Sequence, residues 1–139
     1  MATVHPITYF NIEDKVTNLA FLKEKQLLVG TASGKIQIWN LKSESISKTL
    51  DLFSEKEPIL WICVNEGEII VQARFSQKIK ILDMNNFDVL KNEIEISQGA
   101  VHFCKGNMKK DSDIFAVPIY ENGCEIIKNY KSEKIIQAR

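Results

Sequence analysis

The feature that most constrains the fold is a hairpin-like pattern that occurs three times along this chain of 139 residues. Its clearest copy lies within residues 26–41, QLLVGTASGKIQIWNL, where a short apolar run precedes the turn formers Ser33 and Gly34. The run at 35–39 then alternates polar and apolar residues, which places its two isoleucines on one face of a strand. The pattern predicts an antiparallel hairpin with its turn at residues 32–34.

The same pattern recurs twice with a weaker sequence signal. The second copy pairs the apolar run at 68–72 with the alternating run at 78–83, and the third pairs 114–117 with 124–127. Each hairpin has a further candidate strand before it and another after it. The preceding runs are 16–21, 59–64 and 100–104, and the following runs are 45–52, 88–94 and 134–138. The chain is therefore predicted to be all-β, with three units of four short strands.

Corresponding residues of the three units are separated by similar intervals. Trp39 aligns with Leu82 and then with Ile127, at spacings of 43 and 45 residues. The first strands of the three units begin at Val16, Ile59 and about Val101. A four-strand unit with this period is typical of the blade of a WD40-type β-propeller. The predicted architecture is an arc of about three four-stranded antiparallel blades, which is an incomplete ring because propellers have roughly four to eight blades.

The repeat also predicts the domain organisation. Residues 1–139 form a single propeller fragment, with blades at about 12–53, 57–96 and 99–139 and an extra edge strand at 6–11. The linkers are short and polar, so none marks a domain boundary. Three blades leave apolar faces and open edges uncovered. We therefore expect the isolated chain to self-associate, and we expect it to be a fragment of a larger propeller or to pair with another chain.

The ends of the third strands resemble those of WD repeats to decreasing degrees. Trp39-Asn40 stands where Trp-Asp usually stands, the second unit has Leu82-Asp83, and the third has Ile127-Lys128. No Gly-His dipeptide begins a repeat, and the turn aspartate typical of the family is absent. The polar tetrad of the family is therefore not expected in any blade, and the blades must be held by strand pairing and by apolar packing between sheets.

Several short motifs carry a narrower resemblance. They are Pro58-Ile59-Leu60-Trp61, Val71-Gln72-Ala73-Arg74, Phe103-Cys104, Phe115-Ala116-Val117-Pro118 and Cys124-Glu125-Ile126-Ile127. This order resembles the family of guanine nucleotide-binding protein β-subunit-like protein 1 and of the similar fungal ASTRA-associated protein 1. The chain departs from the family turn at Ala73 and Phe75, where the family has glycine and aspartate. The resemblance implies a non-enzymatic propeller scaffold that works with the cochaperone assembly maturing phosphatidylinositol-3-kinase-related kinases, or in fungi with a chromatin-linked complex.

Charge and cysteine content narrow the class of protein. The chain has 18 basic and 18 acidic residues and a formal net charge of zero, which argues against direct binding of nucleic acid. No apolar run approaches the roughly 18–20 residues that cross a bilayer, and the first ten residues lack the features of a secretory signal. Cys63, Cys104 and Cys124 are an odd number without CxxC spacing. We therefore expect reduced thiols in a protein of the cytoplasm, the nucleus or both. Because no apolar run is long enough to span a bilayer, no membrane partner is expected.

No catalytic, cofactor-binding or metal-binding residue is predicted. His102 lies in a predicted strand, His5 lies near the terminus, and their separation matches no metal-site spacing. Cys63, Cys104 and Cys124 all fall in predicted apolar strands, where cysteine behaves as a small hydrophobe.

The remaining conspicuous residues are also interpreted structurally. Trp39 and Trp61 are predicted to be core residues, although a ligand-facing role is left open for Trp61. The carboxylate pairs Glu13-Asp14 and Glu66/Glu68 are predicted to solubilise the chain rather than to catalyse. A basic cluster in a loop that also contains Asp111 and Asp113 is predicted to be solvated. Its members are Lys105, Lys109 and Lys110.

Three functional hypotheses follow. The first is a non-enzymatic WD-repeat scaffold that binds other proteins, either in kinase maturation or as an adaptor of another complex. The second is a compact all-β enzyme subunit, which would need a convergent set of acid, base or metal-binding groups that the sequence does not contain. The third is an all-β sandwich or barrel in which the repeat arises by chance.

Overall fold

The computed structural model describes residues 10–101, 104–109, 112–120 and 122–137. These residues form twelve β-strands and no helix. The strands are β1 (Val16–Lys23), β2 (Gln26–Thr31), β3 (Lys35–Asn40), β4 (Ser45–Asp51), β5 (Ile59–Asn65), β6 (Glu68–Ala73), β7 (Lys78–Asp83), β8 (Leu90–Glu95), β9 (Asn107–Met108), β10 (Ile114–Ile119), β11 (Gly123–Lys128) and β12 (Lys131–Gln137).

The strands make three antiparallel sheets, each with four strands in chain order. We call them blade 1 (β1–β4), blade 2 (β5–β8) and blade 3 (β9–β12). The predicted hairpin of blade 1 is confirmed, and its turn needs Gly34, which has a φ of 80°. A Cβ at this position would also come within 2.5 Å of the carbonyl oxygen of Ser54. The all-β prediction with three four-stranded units is confirmed.

A register shift occurs at the same place in every blade. The pairing of the third strand with the fourth shifts between Ile38 and Trp39, between Ile81 and Leu82, and between Ile126 and Ile127. Such a β-bulge bends a strand locally and increases its twist. Because the shift marks one position in each blade, it confirms the predicted alignment of Trp39, Leu82 and Ile127.

The first strand of blade 3 differs from the prediction. The apolar run at 100–104 was expected to form this strand, but β9 lies at Asn107–Met108 and is only two residues long. Ala100 lies in the linker before it and makes an isolated parallel bridge to Tyr120. Its carbonyl also accepts a hydrogen bond from the Phe75 N–H at 2.8 Å. Because these contacts occupy the linker backbone, the predicted alignment of the blade at Val101 is wrong.

The extra edge strand predicted at 6–11 lies largely outside the described residues. Of its two described members, Phe10 stacks on Trp39 with ring centroids 5.1 Å apart and an interplanar angle of 28°.

The apolar core lies between the blades. One cluster joins blade 1 to blade 2 and contains Leu22, Leu28, Ile36, Ile38, Leu50, Ile59, Ile62, Ile69, Val71 and Leu82. The other joins blade 2 to blade 3 and contains Leu60, Trp61, Ile70, Ile79, Ile81, Ile94, Ile96, Ala100, Phe115, Val117, Ile119 and Ile127. Alternate residues of a strand face opposite sides of its sheet, so blade 2 presents one face to blade 1 and the other to blade 3.

Buried polar groups add hydrogen bonds between the blades. The Asn18 Nδ2 donates to the carbonyl oxygen of Leu60 at 3.3 Å, and the Gln72 Nε2 donates to that of Pro118 at 3.1 Å. Gly30 occupies in blade 1 the position of Gln72 in blade 2, since both lie opposite the start of the third strand. A Cβ at Gly30 would come within 2.7 Å of Ile59 Cγ2, so glycine permits the close approach of blades 1 and 2.

Side chains at one position of the third strand also hold the linkers between blades. The Lys80 ammonium donates to the carbonyl oxygen of Leu52, in the linker before blade 2. In the corresponding position of blade 3, the Glu125 carboxylate accepts hydrogen bonds from the Ser97 N–H at 3.0 Å and from its hydroxyl at 3.2 Å. These contacts fix each linker against the blade that follows it.

Candidate functional site

The turn between β6 and β7 displays an exposed aromatic ring in a strained backbone. Phe75 has a φ of 66°, a left-handed conformation that is unusual for a bulky residue, and its side chain is 50% exposed. We call residues 74–77 the aromatic turn. Strained residues of this kind persist only where surrounding contacts impose them, and they cluster at functional sites.

Both neighbouring linkers hold the aromatic turn. The Phe75 N–H donates to the Ala100 carbonyl, and the Arg74 N–H donates to the Pro58 carbonyl at 2.8 Å. The backbone of Gly99 packs so closely that a Cβ there would lie 2.6 Å from the carbonyl carbon of Phe75. The Arg74 guanidinium donates to the carbonyl oxygen of Val101 and lies over the Phe75 ring, 4.6 Å from its centroid. The ring is therefore presented in a preorganised position.

A groove of about 660 Å³ lies beside the aromatic turn, between blades 1 and 2. We call it the rim groove, and it is lined by Asp51, Leu52, Phe53, Ser54, Glu57, Phe75, Ser76, Gln77, Lys78 and Lys80. The Lys80 ammonium lies 4.9 Å from the centroid of the Phe53 ring. The groove thus combines two aromatic rings with charges of both signs, a composition that suits a protein partner better than a polyanion.

A small polar cluster joins the start of β1 to the β2–β3 turn. The Ser33 hydroxyl donates to the Asp14 carboxylate, and the Thr31 hydroxyl lies 3.2 Å from that of Ser33. The hydrogen bond from Ser33 lowers the pKa of Asp14, and this effect outweighs the desolvation that raises it. Asp14 was predicted to be a solubilising surface carboxylate, and its bond to a turn 19 residues later was not foreseen.

The face of blade 3 that points away from blade 2 contains an apolar groove of about 710 Å³. We call it the end groove, and it is lined by Cys104, Lys105, Asn107, Ala116, Val117, Pro118, Asn122, Gly123, Cys124, Ile136 and Gln137. Most of its lining surface is apolar, and Ile136 at its edge is 47% exposed.

The opposite end of the arc is also apolar. Leu19 and Phe21 pair with Val29 and Leu27 across β1 and β2, and cross-strand partners share one face of a sheet. This face of blade 1 points away from blade 2, and it exposes Leu19 by 57% and Phe21 by 69%. Val29 and Trp39 lie on the same face but are buried, and Phe10 stacks on Trp39. We call it the front face. The described residues thus form an arc that presents an apolar surface at each end and does not close into a ring.

The three cysteines occupy different environments. Cys63 is half-buried in β5, where its sulfur lies 3.8 Å from that of Met108, and burial raises the pKa of its thiol. Cys124 is half-buried in β11 and lines the end groove. The prediction that Cys104 lies in an apolar strand is wrong, because this residue is exposed and precedes the short β9.

One predicted surface carboxylate is a structural residue. Glu66 is exposed, but Glu68 is buried, and its carboxylate accepts a hydrogen bond from the Tyr130 hydroxyl and lies 2.8 Å from the Lys91 ammonium. The bond to this carboxylate, with burial, raises the pKa of Tyr130 to about 12. Glu68 therefore joins blades 2 and 3 instead of solubilising the chain.

Both tryptophans are core residues, as predicted. Trp61 is buried between blades 2 and 3, with its ring centroid 6.1 Å from that of Phe115. Trp39 is buried under Phe10, and its indole N–H donates to the Gln37 Oε1 at 3.0 Å.

The histidines and part of the basic loop lie outside the part of the chain that the structure describes. His5 and His102 lie outside the described residues, as do Lys110 and Asp111. Lys105, Lys109 and Asp113 are exposed. Within the described ranges, no group of three or more histidine, cysteine, aspartate or glutamate residues could hold a metal ion. The same ranges contain no helix long and apolar enough to span a membrane.

Comparison with solved structures identifies the fold. The chain superimposes on the β-propeller domain of Cps50 (Swd1) from Myceliophteria thermophila with a TM-score of 0.71 and 16% identity, over 88% of this chain and 38% of that one. It superimposes on the WD40 repeats of RRP9 with a TM-score of 0.76 and 8% identity, over 92% of this chain and 40% of that one. The three sheets are WD40 propeller blades. At these identities the likeness defines the fold alone.

Sequence comparison adds one relative. The chain is 29% identical over 73 residues to a putative BTB/POZ domain and WD-repeat protein, R154, of Acanthamoeba polyphaga mimivirus. The match covers 52% of this chain and 15% of the viral protein. No family model matches the sequence. The WD-repeat character of the chain is thus supported by sequence as well as by fold, whereas the narrower family resemblance of the second and third units is not.

Proposed function

We propose that this chain is a non-enzymatic WD-repeat scaffold that binds other proteins through its rim. The observation that carries the proposal is the aromatic turn, where an exposed Phe75 ring is held in a strained backbone beside the rim groove. Rigid aromatic side chains with satisfied surroundings are frequent binding hot spots, because they bury a large area at a small entropic cost. Loops on a rigid scaffold are also where binding residues concentrate.

The partner proposed from the sequence resemblance is the cochaperone assembly that matures phosphatidylinositol-3-kinase-related kinases, or a chromatin-associated assembly. This narrower proposal rests on the short motifs from Pro58 to Ile127. The broader alternative is an adaptor of another complex, and Phe75 favours it, since the family has aspartate at this position of the turn. We further propose that the protein works in the cytoplasm, the nucleus or both, which imaging of the tagged protein in cells would test.

The test is affinity capture from an extract of the source cells with three baits: the wild type, Phe75→Ala and the control Leu90→Ala. Leu90 is also an exposed apolar residue, but it lies on β8 and does not line the rim groove. We expect proteins captured by the wild type and by Leu90→Ala to fall at least about tenfold with Phe75→Ala, as for an interface hot spot. Equal capture by all three baits would contradict the proposal.

The composition of the captured set separates the two partner proposals. Kinases of the named class or their cochaperones among the Phe75-dependent proteins would support the narrower one. A Phe75-dependent set without them would favour the general adaptor.

A further inference from the structure

The linker that leads from β8 into blade 3 supports the aromatic turn. We call residues 96–100 the support linker. At one end of it, the Ala100 carbonyl accepts a hydrogen bond from the Phe75 N–H at 2.8 Å. At the other end, the Ile96 N–H donates to the Gln77 carbonyl at 2.8 Å. Because these bonds join both ends of the support linker to the aromatic turn, the position of the turn depends on the position of the linker.

The support linker also fits the aromatic turn too closely for a side chain at Gly99. A Cβ there would lie 2.6 Å from both the carbonyl carbon and the carbonyl oxygen of Phe75, and 3.0 Å from the carbonyl oxygen of Ser76. The two backbones are therefore in direct contact, with no space between them that could absorb a movement. A shift of the linker towards the turn must move the backbone of Phe75.

Blade 3 holds the support linker from the opposite side. The Glu125 Oε2 accepts hydrogen bonds from the Ser97 N–H at 3.0 Å and from the Ser97 hydroxyl at 3.2 Å. The Tyr120 N–H donates to the Gly99 carbonyl at 3.0 Å. The support linker thus lies between the aromatic turn and blade 3 and is bonded to both.

Glu125 is the charged member of this set of contacts. It lies in β11 and is only 2% exposed. A buried carboxylate is costly unless hydrogen bonds satisfy it, and hydrogen bonds to a charged acceptor are among the stronger ones in proteins. Within the part of the chain that the structure describes, the hydrogen bonds that this carboxylate accepts come from Ser97. The burial of Glu125 therefore favours one position of the support linker.

We infer that Glu125 is a positioning residue for the partner-binding surface. Its carboxylate holds Ser97, and the support linker in turn holds the N–H of Phe75. The left-handed backbone of Phe75 persists only while surrounding contacts impose it, so a loosened linker lets the turn relax. The inference rests on the proposed function, because the consequence of a misplaced Phe75 ring is weaker binding of the partner.

The first test needs no partner. It measures the hydrogen exchange of single amides by NMR on the purified 139-residue chain. In Glu125→Ala the Phe75 amide should exchange at least about tenfold faster than in the wild type, whereas the amides of β7 should keep their rates. Glu125→Gln keeps an acceptor oxygen, so its Phe75 amide should stay closer to the wild type than that of Glu125→Ala. A residue that only stabilised the fold would change the exchange of Phe75 and of β7 together.

A milder variant and a matched control accompany this test. Ser97 is exposed, so Ser97→Ala removes one of the two bonds to Glu125 without opening the core. We expect the Phe75 amide of this variant to exchange about threefold faster. The control is Gln37→Ala, because Gln37 occupies in blade 1 the position of Glu125 but bonds to Trp39. It should leave the exchange of Phe75 unchanged.

The second test is capture from the extract used for the proposed function. Glu125→Ala should capture about three- to tenfold less of the Phe75-dependent proteins, since a preorganised anchor binds more tightly than a mobile one. Glu125→Gln should recover part of this loss. In the Phe75→Ala background, Glu125→Ala should cause no further loss, because it acts through the ring.

Several outcomes would overturn the inference. They are an unchanged Phe75 amide in a folded Glu125→Ala, equal acceleration of Phe75 and β7, no recovery with Glu125→Gln, or a further loss of capture in the Phe75→Ala background. The two proposals fail separately. Capture that depends on Phe75 but not on Glu125 would overturn the positioning role alone. Capture that does not depend on Phe75, together with faster Phe75 exchange in Glu125→Ala, would overturn the scaffold function alone.

Discussion

Blade 2 and the two terminal blades are built on one plan but meet different surroundings. Blade 2 has a neighbour on each face and buries the residues of both, whereas blades 1 and 3 each leave one face without a neighbouring blade. Residues of similar chemistry therefore differ in exposure at the same position of the repeat, as Ile94 and Ile136 do. The difference teaches that burial in this molecule is determined by the neighbouring blade, because a single sheet cannot bury its own faces.

The largest expected effect on stability distinguishes Ile94 from Ile136. Ile94→Ala should lower the free energy of unfolding by about 2 to 4 kcal/mol, because it leaves a cavity in the core between blades 2 and 3. Ile136→Ala should cost less than about 1 kcal/mol, since its side chain is half in solvent. Urea denaturation of both variants, at a protein concentration low enough for a monomer, measures the difference. Equal losses of unfolding free energy would show that the end of blade 3 is covered as fully as the core at the centre of the arc.

Gly30→Ala tests the closeness of the blades at one position. The new methyl group would meet Ile59 Cγ2, so we expect a loss of about 1 to 3 kcal/mol from overpacking. The control is Gly67→Ala in the β5–β6 turn, where a Cβ meets no atom within 4 Å and only the φ of 80° opposes the change. We expect about 1 kcal/mol for the control. Gly30→Ala with no measurable loss would contradict the close approach of blades 1 and 2.

The smallest effect concerns the polar cluster of blade 1. The residue of blade 2 that corresponds to Asp14 is Glu57, whose carboxylate accepts a hydrogen bond from the Ser54 N–H at 3.3 Å instead. The pKa of Asp14 is lower in the folded chain than its ordinary value of 3.8, so its contribution to stability is present above pH 3.8 and is lost as the pH falls through the folded pKa. Asp14→Asn should therefore be less stable than the wild type at pH 7, and the gap should narrow below pH 3.8. Thermal melts across this range, with Glu13→Gln as control, measure the gap. A difference in melting temperature between Asp14→Asn and the wild type that does not change with pH would exclude the carboxylate as its cause.

The strands that alternate in sequence were predictable, and the contacts between distant segments were not. The run at 78–83 coincides with β7, because its alternation reflects the two faces of the strand. The apolar run at 100–104 looked like a strand, yet Ala100 is buried as part of a linker that bonds to Tyr120 and to the aromatic turn. Local patterns cannot distinguish these two reasons for apolar character.

The candidate site was likewise predictable only in part, because contacts between distant segments build it. The sequence marked the turn near Phe75 as a departure from a family pattern, but the positive φ of Phe75 arises from contacts with Gly99 and Ala100, about 25 residues later. The Asp14–Ser33 bond likewise spans 19 residues. The end groove was foreseen only in general terms, as an uncovered face of an incomplete ring, because its residues become neighbours only when β10, β11 and β12 pair.

The most direct test of the account is the thiol accessibility of Leu19→Cys and Ile62→Cys, two residues at one position of the repeat. Each variant is made with Cys63, Cys104 and Cys124 replaced by alanine, and its labelling by a maleimide is timed at a concentration where sedimentation shows a monomer. We expect Leu19→Cys to react like an unfolded peptide and Ile62→Cys to react at least about a hundredfold more slowly, because blade 1 must separate from blade 2 first. Equal labelling rates would contradict the claim that the neighbouring blade determines burial.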